Sequence, residues 1–220
     1  MEQESAEFIL VRHGLTGWNA AGRIQGHTDT DLCDEGYEQA RSVGRRLQEE
    51  SYDLLFSSDL KRARQTAQPL ADVLEMEIQL DDRLREWNLG AFEGLTVDEA
   101  RERFADAYRK YRAFDPELRV PEGESFLEFD HRVIHFFQEM SQAHAGKRLL
   151  VFTHGGSVNV VLRHVLGIPT TSRDKFYIPN TSVTRVRVSP KNDGISWALI
   201  ESDVDLLHPG INPSEPRGDV

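Results

Sequence analysis

Three short segments combine residue types able to hold and attack a tetrahedral anion. Arg12-His13-Gly14 sets a guanidinium, an imidazole and a flexible residue side by side. Thr153-His154-Gly155-Gly156 offers a second imidazole, followed by glycines whose amides suit a helix N-terminus, where unpaired N–H groups bind anions. Arg62 follows Ser57-Ser58 closely enough to face the same way. Arginine supplies paired donors to phosphate oxygens, and a neutral imidazole can attack phosphorus. Arg85-Glu86 adds a carboxyl for proton transfer. Asp81, Asp82 and Glu93 crowd the same stretch, so spacing alone does not choose among the acids.

These groups need elements to position them. Phe8-Ile9-Leu10-Val11, Asp53-Leu54-Leu55-Phe56 and Leu149-Leu150-Val151-Phe152 are apolar enough to be buried strands, and each runs directly into one of the polar segments. Asp34 is expected to cap a helix with Tyr37, Ala40, Val43 and Leu47 inward. Ser57-Ser58 is expected to cap another, carrying Ala63, Ala67, Leu70 and Leu74. Ile78-Gln79-Leu80 reads as a short strand, residues 97–111 as one charged helix, and 114–123 as a loop. Residues 125–140 read as a helix with Phe129, Val133, Phe136, Phe137 and Met140 inward. A helix with Val158, Val161, Leu162 and Val165 stops at Gly167-Ile168-Pro169. Strands at 183–188 and 195–200 bracket Asn192-Asp193-Gly194, a hairpin signal. Strands alternating with helices predict an α/β three-layer sandwich, its central sheet mostly parallel and covered by helices on both faces. Ligands of such sheets bind beyond the carboxyl ends of the strands, where the three polar segments fall. Residues 1–203 are expected to form one domain and 204–220 an irregular tail.

Composition narrows the partners. The 220 residues carry 26 Lys plus Arg against 37 Asp plus Glu, a net charge of −11. A chain this acidic repels polyanions, so neither nucleic acid nor a membrane surface is an expected partner. The single cysteine, Cys33, allows no internal disulfide. Residues 1–7 lack the basic and apolar regions of a signal peptide, which makes the cytoplasm the expected location. His131 and His135 stand at metal-binding spacing on a helix, but no acidic or thiol partner set accompanies them. The dinucleotide pattern Gly-x-Gly-x-x-Gly is absent after the first strand. No metal and no cofactor are expected. Arg101, Arg103, Arg109, Lys110, Arg112 and Arg119 alternate with acids, as on a solvated helix face or a lid that reads a substrate.

Val11-Arg12-His13-Gly14-Leu15-Thr16-Gly17-Trp18-Asn19 resembles the signature of the histidine phosphatase superfamily, in the branch that includes phosphoglycerate mutases. Further matches run in order. They are Arg23-Ile24-Gln25-Gly26; Leu32 with Gly36-Tyr37-Glu38-Gln39-Ala40; Ser57 through Ala67; Glu86 with Gly90 and Glu93-Gly94; Gly123-Glu124-Ser125; and Thr153-His154-Gly155-Gly156. The resemblance spans about residues 8–190. It implies a phosphoglycerate mutase-like fold and a phosphohistidine formed on His13. It also implies a clamp of Arg12, Arg62 and His154 assisted by Asn19 and the Gly155 amide. Glu86 becomes the proton donor and acceptor, and Gln25 and Gly26 line the substrate side. Cys33 departs from the threonine common in relatives.

The resemblance implies a phosphomonoesterase acting on a small phosphorylated metabolite. A phosphoglycerate mutase uses the same chemistry with a different acceptor. Val97 stands where a mutase would carry lysine, and the segment up to Gly123 is short, which favours hydrolysis. A non-catalytic phospholigand-binding protein is the reading from another class, and it has no need of His13 or Glu86. The metabolite and the oligomeric state stay open, a homodimer being one option.

Overall fold

The computed structural model describes residues 4–113, 115–172, 175–191, 194–203 and 205–207. In chain order the elements are β1 (Ala6–Arg12), α1 (Gly17–Ala20), α2 (Asp34–Leu47), β2 (Leu54–Ser57), α3 (Lys61–Leu74) and β3 (Ile78–Leu80). Two 3-10 turns, Asp82–Leu84 and Gly90–Phe92, precede α4 (Val97–Arg103) and α5 (Ala105–Ala113). Then come α6 (Phe126–Ala143), β4 (Arg148–Thr153), α7 (Gly155–Leu166), β5 (Lys175–Tyr177), β6 (Val183–Lys191), β7 (Gly194–Ser202) and β8 (Asp205–Leu207).

Six strands form one sheet in the order β3-β2-β4-β1-β6-β7. The first four are parallel; β6 and β7 are antiparallel additions at one side. Strand alternation sorts the core. Phe8 and Leu10 of β1 face one layer, with Phe129, Val133, Phe136 and Phe137 of α6 and Val158 and Val161 of α7. Ile9 and Val11 face the other, with Val43 and Leu47 of α2 and Ala67 and Leu70 of α3. Both faces are therefore covered, as the apolar runs predict for parallel strands. Among the described residues, no helix is long and apolar enough to cross a membrane.

Several local expectations change. Asp34 is the first residue of α2, not its cap; Cys33 takes that position without a side-chain bond. Leu60, not Ser57 or Ser58, caps α3, and the Lys61 amide is satisfied by Asp29 Oδ1 at 2.7 Å, from a distant loop. The charged segment 97–111 is two helices, because the chain breaks at Phe104 and sets its ring on Phe92, at 5.8 Å between centroids. Phe92, Phe104, Tyr108 and Tyr111 form a separate apolar cluster beside the sheet's carboxyl ends. The hairpin of β6 and β7 is present with Lys191 opposite Gly194, its turn residues 192 and 193 lying outside the described residues. Of the segment expected to be an irregular tail, 205–207 forms β8, antiparallel to β5; 204 and 208–220 lie outside the described residues.

Candidate active site

Strand order brings the histidines together. β4 lies between β1 and β2, so His154 at its end is flanked by His13 on one side and Ser58 on the other. The His13 amide donates to Thr153 O at 2.9 Å, extending the ladder by one bond. His13 Nδ1 lies 2.7 Å from Gly14 O. A carbonyl only accepts, so Nδ1 carries the proton and Nε2 presents its lone pair. The Gly14 amide donates to Thr66 Oγ1 at 2.9 Å, and Asn180 Nδ2 donates to His13 O at 2.9 Å. The ring is thus fixed from three elements. His154 is fully buried, its Nε2 2.9 Å from Ser58 Oγ, its ring centroid 5.2 Å from that of His13. Its Nδ1 is buried without a partner among the described residues.

Burial holds both imidazoles well below their ordinary titration range. Arg12 and Arg62 push the same way, since a second positive charge beside a guanidinium is unfavourable. Both rings are accordingly neutral at neutral pH. Arg62 reaches in from the first turn of α3, fully buried, and donates to Thr28 O at 2.9 Å and Gly26 O at 2.7 Å. Burial pushes its pKa down to about 10, so it remains charged. Arg12 donates to Ile178 O. The Nε atoms of Arg12 and Arg62 are buried without partners among the described residues.

Glu86 is held at the N-terminus of α7. Gly156 N donates to its Oε2 at 3.0 Å, and Trp87 N to its Oε1 at 2.8 Å. A Cβ on residue 156 would lie 2.0 Å from Glu86 Oε1, so glycine is what lets the carboxylate sit there. The Gly156 amide expected to be open to an anion is therefore occupied by Glu86, whereas Gly155 lines the cavity. The backbone carrying Glu86 is gripped by α6. Arg132 donates to the carbonyls of Arg83, Arg85 and Glu86 at 2.9, 3.0 and 3.1 Å, and pairs with Glu124 at 2.5 Å. His27 Nε2 also bonds Glu86 O, at 2.8 Å.

The competing acids fall elsewhere. Glu93 accepts from the His27, Thr28 and Leu89 amides and the Thr28 hydroxyl, which ties the 26–28 loop to the chain beyond Glu86. Gly26 turns through φ +52°, and a side chain there would strike Glu93. Asp82 is exposed and does not line the cavity.

The cavity holds about 610 Å³, and Arg12, His13, Arg62, Glu86 and Gly155 line one end. Asn19, Gln25 and Gly26 line it as well. Asn19 Oδ1 accepts from Thr16 N at 3.2 Å, and Gln25 Oε1 accepts from the Thr16 and Thr30 hydroxyls. Every residue expected at the site thus lines one pocket, apart from His154, which is fully buried and packs its ring against that of His13. His131 and His135 are exposed on α6, away from it; His135 bonds Arg83 instead. No three His, Cys, Asp or Glu side chains among the described residues gather to hold a metal. Ser58 and Asn180 join the residues expected at the site. For Ser58 the sequence signal is only its place at a strand end, in the pair expected to cap α3. Asn180 arrives through the β5–β6 connection, for which the sequence offers no chemical pattern.

Known proteins resemble this chain in sequence and fold. The model of the histidine phosphatase superfamily (branch 1) matches residues 8–199. The chain is 34% identical over 202 residues to "Probable phosphoglycerate mutase GpmB" of Escherichia fergusonii, covering 92% of this chain and 94% of that one. Mycobacterial glucosyl-3-phosphoglycerate phosphatase, complexed with VO3, is 26% identical with a TM-score of 0.76, covering 88% of this chain and 96% of its own. The α-ribazole phosphatase of Shigella flexneri, 23% identical with a TM-score of 0.76 and 88% and 95% coverage, shares the fold. The match over most of the chain makes this protein a member of the histidine phosphatase superfamily, branch 1.

Proposed function

We propose that the protein is a phosphomonoesterase working through a phosphohistidine on His13. The observation that carries this reading is the His13 Nδ1–Gly14 O bond, which leaves Nε2 as a neutral nucleophile in the field of the Arg12 and Arg62 guanidinium groups. A phosphate in the cavity would meet Arg12, Arg62 and His154 Nδ1, whose unpartnered buried atoms are supplied with an anion's oxygens as acceptors. Asn19 and the Gly155 amide assist. Nε2 forms a bond to phosphorus while the bond to the ester oxygen breaks, and the Glu86 carboxyl gives a proton to the departing alkoxide. Water then attacks the phosphohistidine, Glu86 takes a proton from it, and the P–Nε2 bond breaks to release phosphate. Catalysis of this kind is mostly positioning and charge stabilisation, which needs no metal here because the arginines supply the charge.

The test is phosphate release from phosphomonoesters, with quenched enzyme carrying acid-labile, base-stable phosphate. His13→Ala should bind phosphate and release none from esters. A base-labile phosphoenzyme would overturn the assigned nucleophile. Activity should also survive prolonged chelation.

The names of the curated relatives favour a second reading, a phosphoglycerate mutase. Val97 bears on it: it opens α4 and does not line the cavity. Product analysis with 3-phosphoglycerate and a bisphosphoglycerate primer separates the two. Interconversion without phosphate release would establish the mutase.

A further inference from the structure

The phosphate end occupies a small part of the cavity, and the remainder has a different chemistry. Trp87, Leu89, Tyr111, Phe126, Phe129 and Phe176 line it. Trp87 is the centre of this wall, with Tyr111 at 5.6 Å, Phe126 edge-on at 5.3 Å and Phe129 stacked at 6.1 Å. Four separate elements supply these rings: the chain after Glu86, α5, α6 and β5. A volume near 610 Å³ lies inside the ~300–1,000 Å³ range of pockets that enclose drug-sized ligands.

Beyond Arg12 and Arg62, two cations among the described residues line the cavity, and both make other bonds. Arg23 donates to Gly94 O at 2.6 Å and pairs with Glu99 at 2.9 Å. Arg163 is 1% exposed, donates to the carbonyls of Pro169 and Ser172, and lies over the Phe126 ring at 5.4 Å. A carboxylate placed at Arg23 Nη1 or at Arg163 Nη2 would have to compete with these carbonyl and carboxylate partners, at a cost. Asn159, one turn into α7, lines the same space with no side-chain hydrogen bond among the described residues. Its carboxamide suits a neutral polar atom.

We infer that the phosphorylated ligand's alcohol portion is uncharged and carries an aromatic ring, which the Trp87 wall receives. The inference rests on the proposed phosphomonoesterase reading for what happens to the ligand, but the preference itself is a binding property. Apolar area removed from water supplies the affinity, and the shape of the wall selects flat groups.

Phosphonates separate the two, because they bind without being hydrolysed. Calorimetric titration of the full chain should give 3-phenylpropylphosphonate a Kd at least tenfold below that of propylphosphonate. 3-Phosphonopropionate, which adds a carboxylate, should bind more weakly than propylphosphonate. Tyr111→Ala and, separately, Phe176→Ala should each shrink the phenylpropyl-to-propyl ratio at least threefold. In turnover, kcat/KM should fall from 2-phenylethyl phosphate to glycerol 3-phosphate to 3-phosphoglycerate. All three have primary alkoxide leaving groups, so the order reads recognition rather than leaving ability. The carboxylate ligand binding as well as the phenyl one, or an unchanged ratio in both variants, would overturn the inference. The expected order of Kd without phosphate release from any ester would uphold it and remove the hydrolase reading.

Discussion

Arg132 Nη2 donates to the main-chain carbonyl of Glu86 at 3.1 Å, so a helix that contributes no reacting group fixes the backbone of the proposed acid. The same guanidinium holds two preceding carbonyls and the Glu124 carboxylate. Arg132→Gln should therefore slow proton delivery more than phosphate binding. With an alkyl phosphate, kcat should drop by up to about a hundredfold, the scale of a small misplacement of a reacting group. KM should change little, and the loss should be smaller with p-nitrophenyl phosphate. Equal losses on both substrates would assign Arg132 a purely structural role.

Glu86→Gln keeps the shape and removes the proton. An alkoxide leaves poorly without one, whereas nitrophenolate leaves unaided. Phosphorylation of His13 by an alkyl phosphate should slow by about a hundred- to ten-thousand-fold. The nitrophenyl ester should suffer much less in the same step. Burst kinetics are the measurement, since both substrates share the later hydrolysis. Equal losses would mean that Glu86 shapes the pocket instead.

Gly156→Ala tests the same carboxylate from the other side. The new methyl group meets the far end of the Glu86 side chain, which can swing away, and Phe129 Cζ at 3.2 Å, which must yield slightly. Activity should fall by at least tenfold while the melting temperature drops by only a few degrees. A fold that collapses with the activity would refute this account.

Acid should weaken the fold in a defined window. His13, His154 and His27 all titrate below 6.5 when folded, with burial as the first cause in each. Well above pH 6.5 both states are neutral at these rings, and they contribute no pH dependence. As pH approaches and passes 6.5 the unfolded chain takes up protons that the folded one refuses, so stability falls as pH drops through 6.5. Urea unfolding at pH 7.0 and 5.2 should show the loss, with proton uptake on unfolding at the lower pH. Replacing His13 and His154 together by Asn should remove most of that slope.

Much of the site is legible in the chain because strand ends are. An apolar run that stops at Arg12-His13 or at Thr153-His154 declares both its burial and its chemistry. Arg62 is legible for a related reason, standing one helical turn past a strand end. The choice of Glu86 over Glu93 is not written locally. It depends on which carboxylate the first turn of α7 meets, a contact across 70 residues of sequence. Ser58 and Asn180 are hidden in the same way, since their roles arise from strand order and from a distant crossover. The start of α3 is not legible because its N-cap residue is Leu60 and the Lys61 amide is satisfied by Asp29, and no local propensity reports a partner supplied by another loop.

The position of β4 has a consequence for synthesis. This strand is made long after β1 and β2, yet it lies between them. A nascent chain that ends before Arg148 has both earlier strands with their shared neighbour missing, each presenting unpaired backbone edges that invite wrong partners. Ribosome-stalled or truncated products of that length should therefore be targets for chaperones and proteases, with no half-built pocket to escape them. The nucleophile waits on the ribosome until the strand that completes its surroundings has been translated.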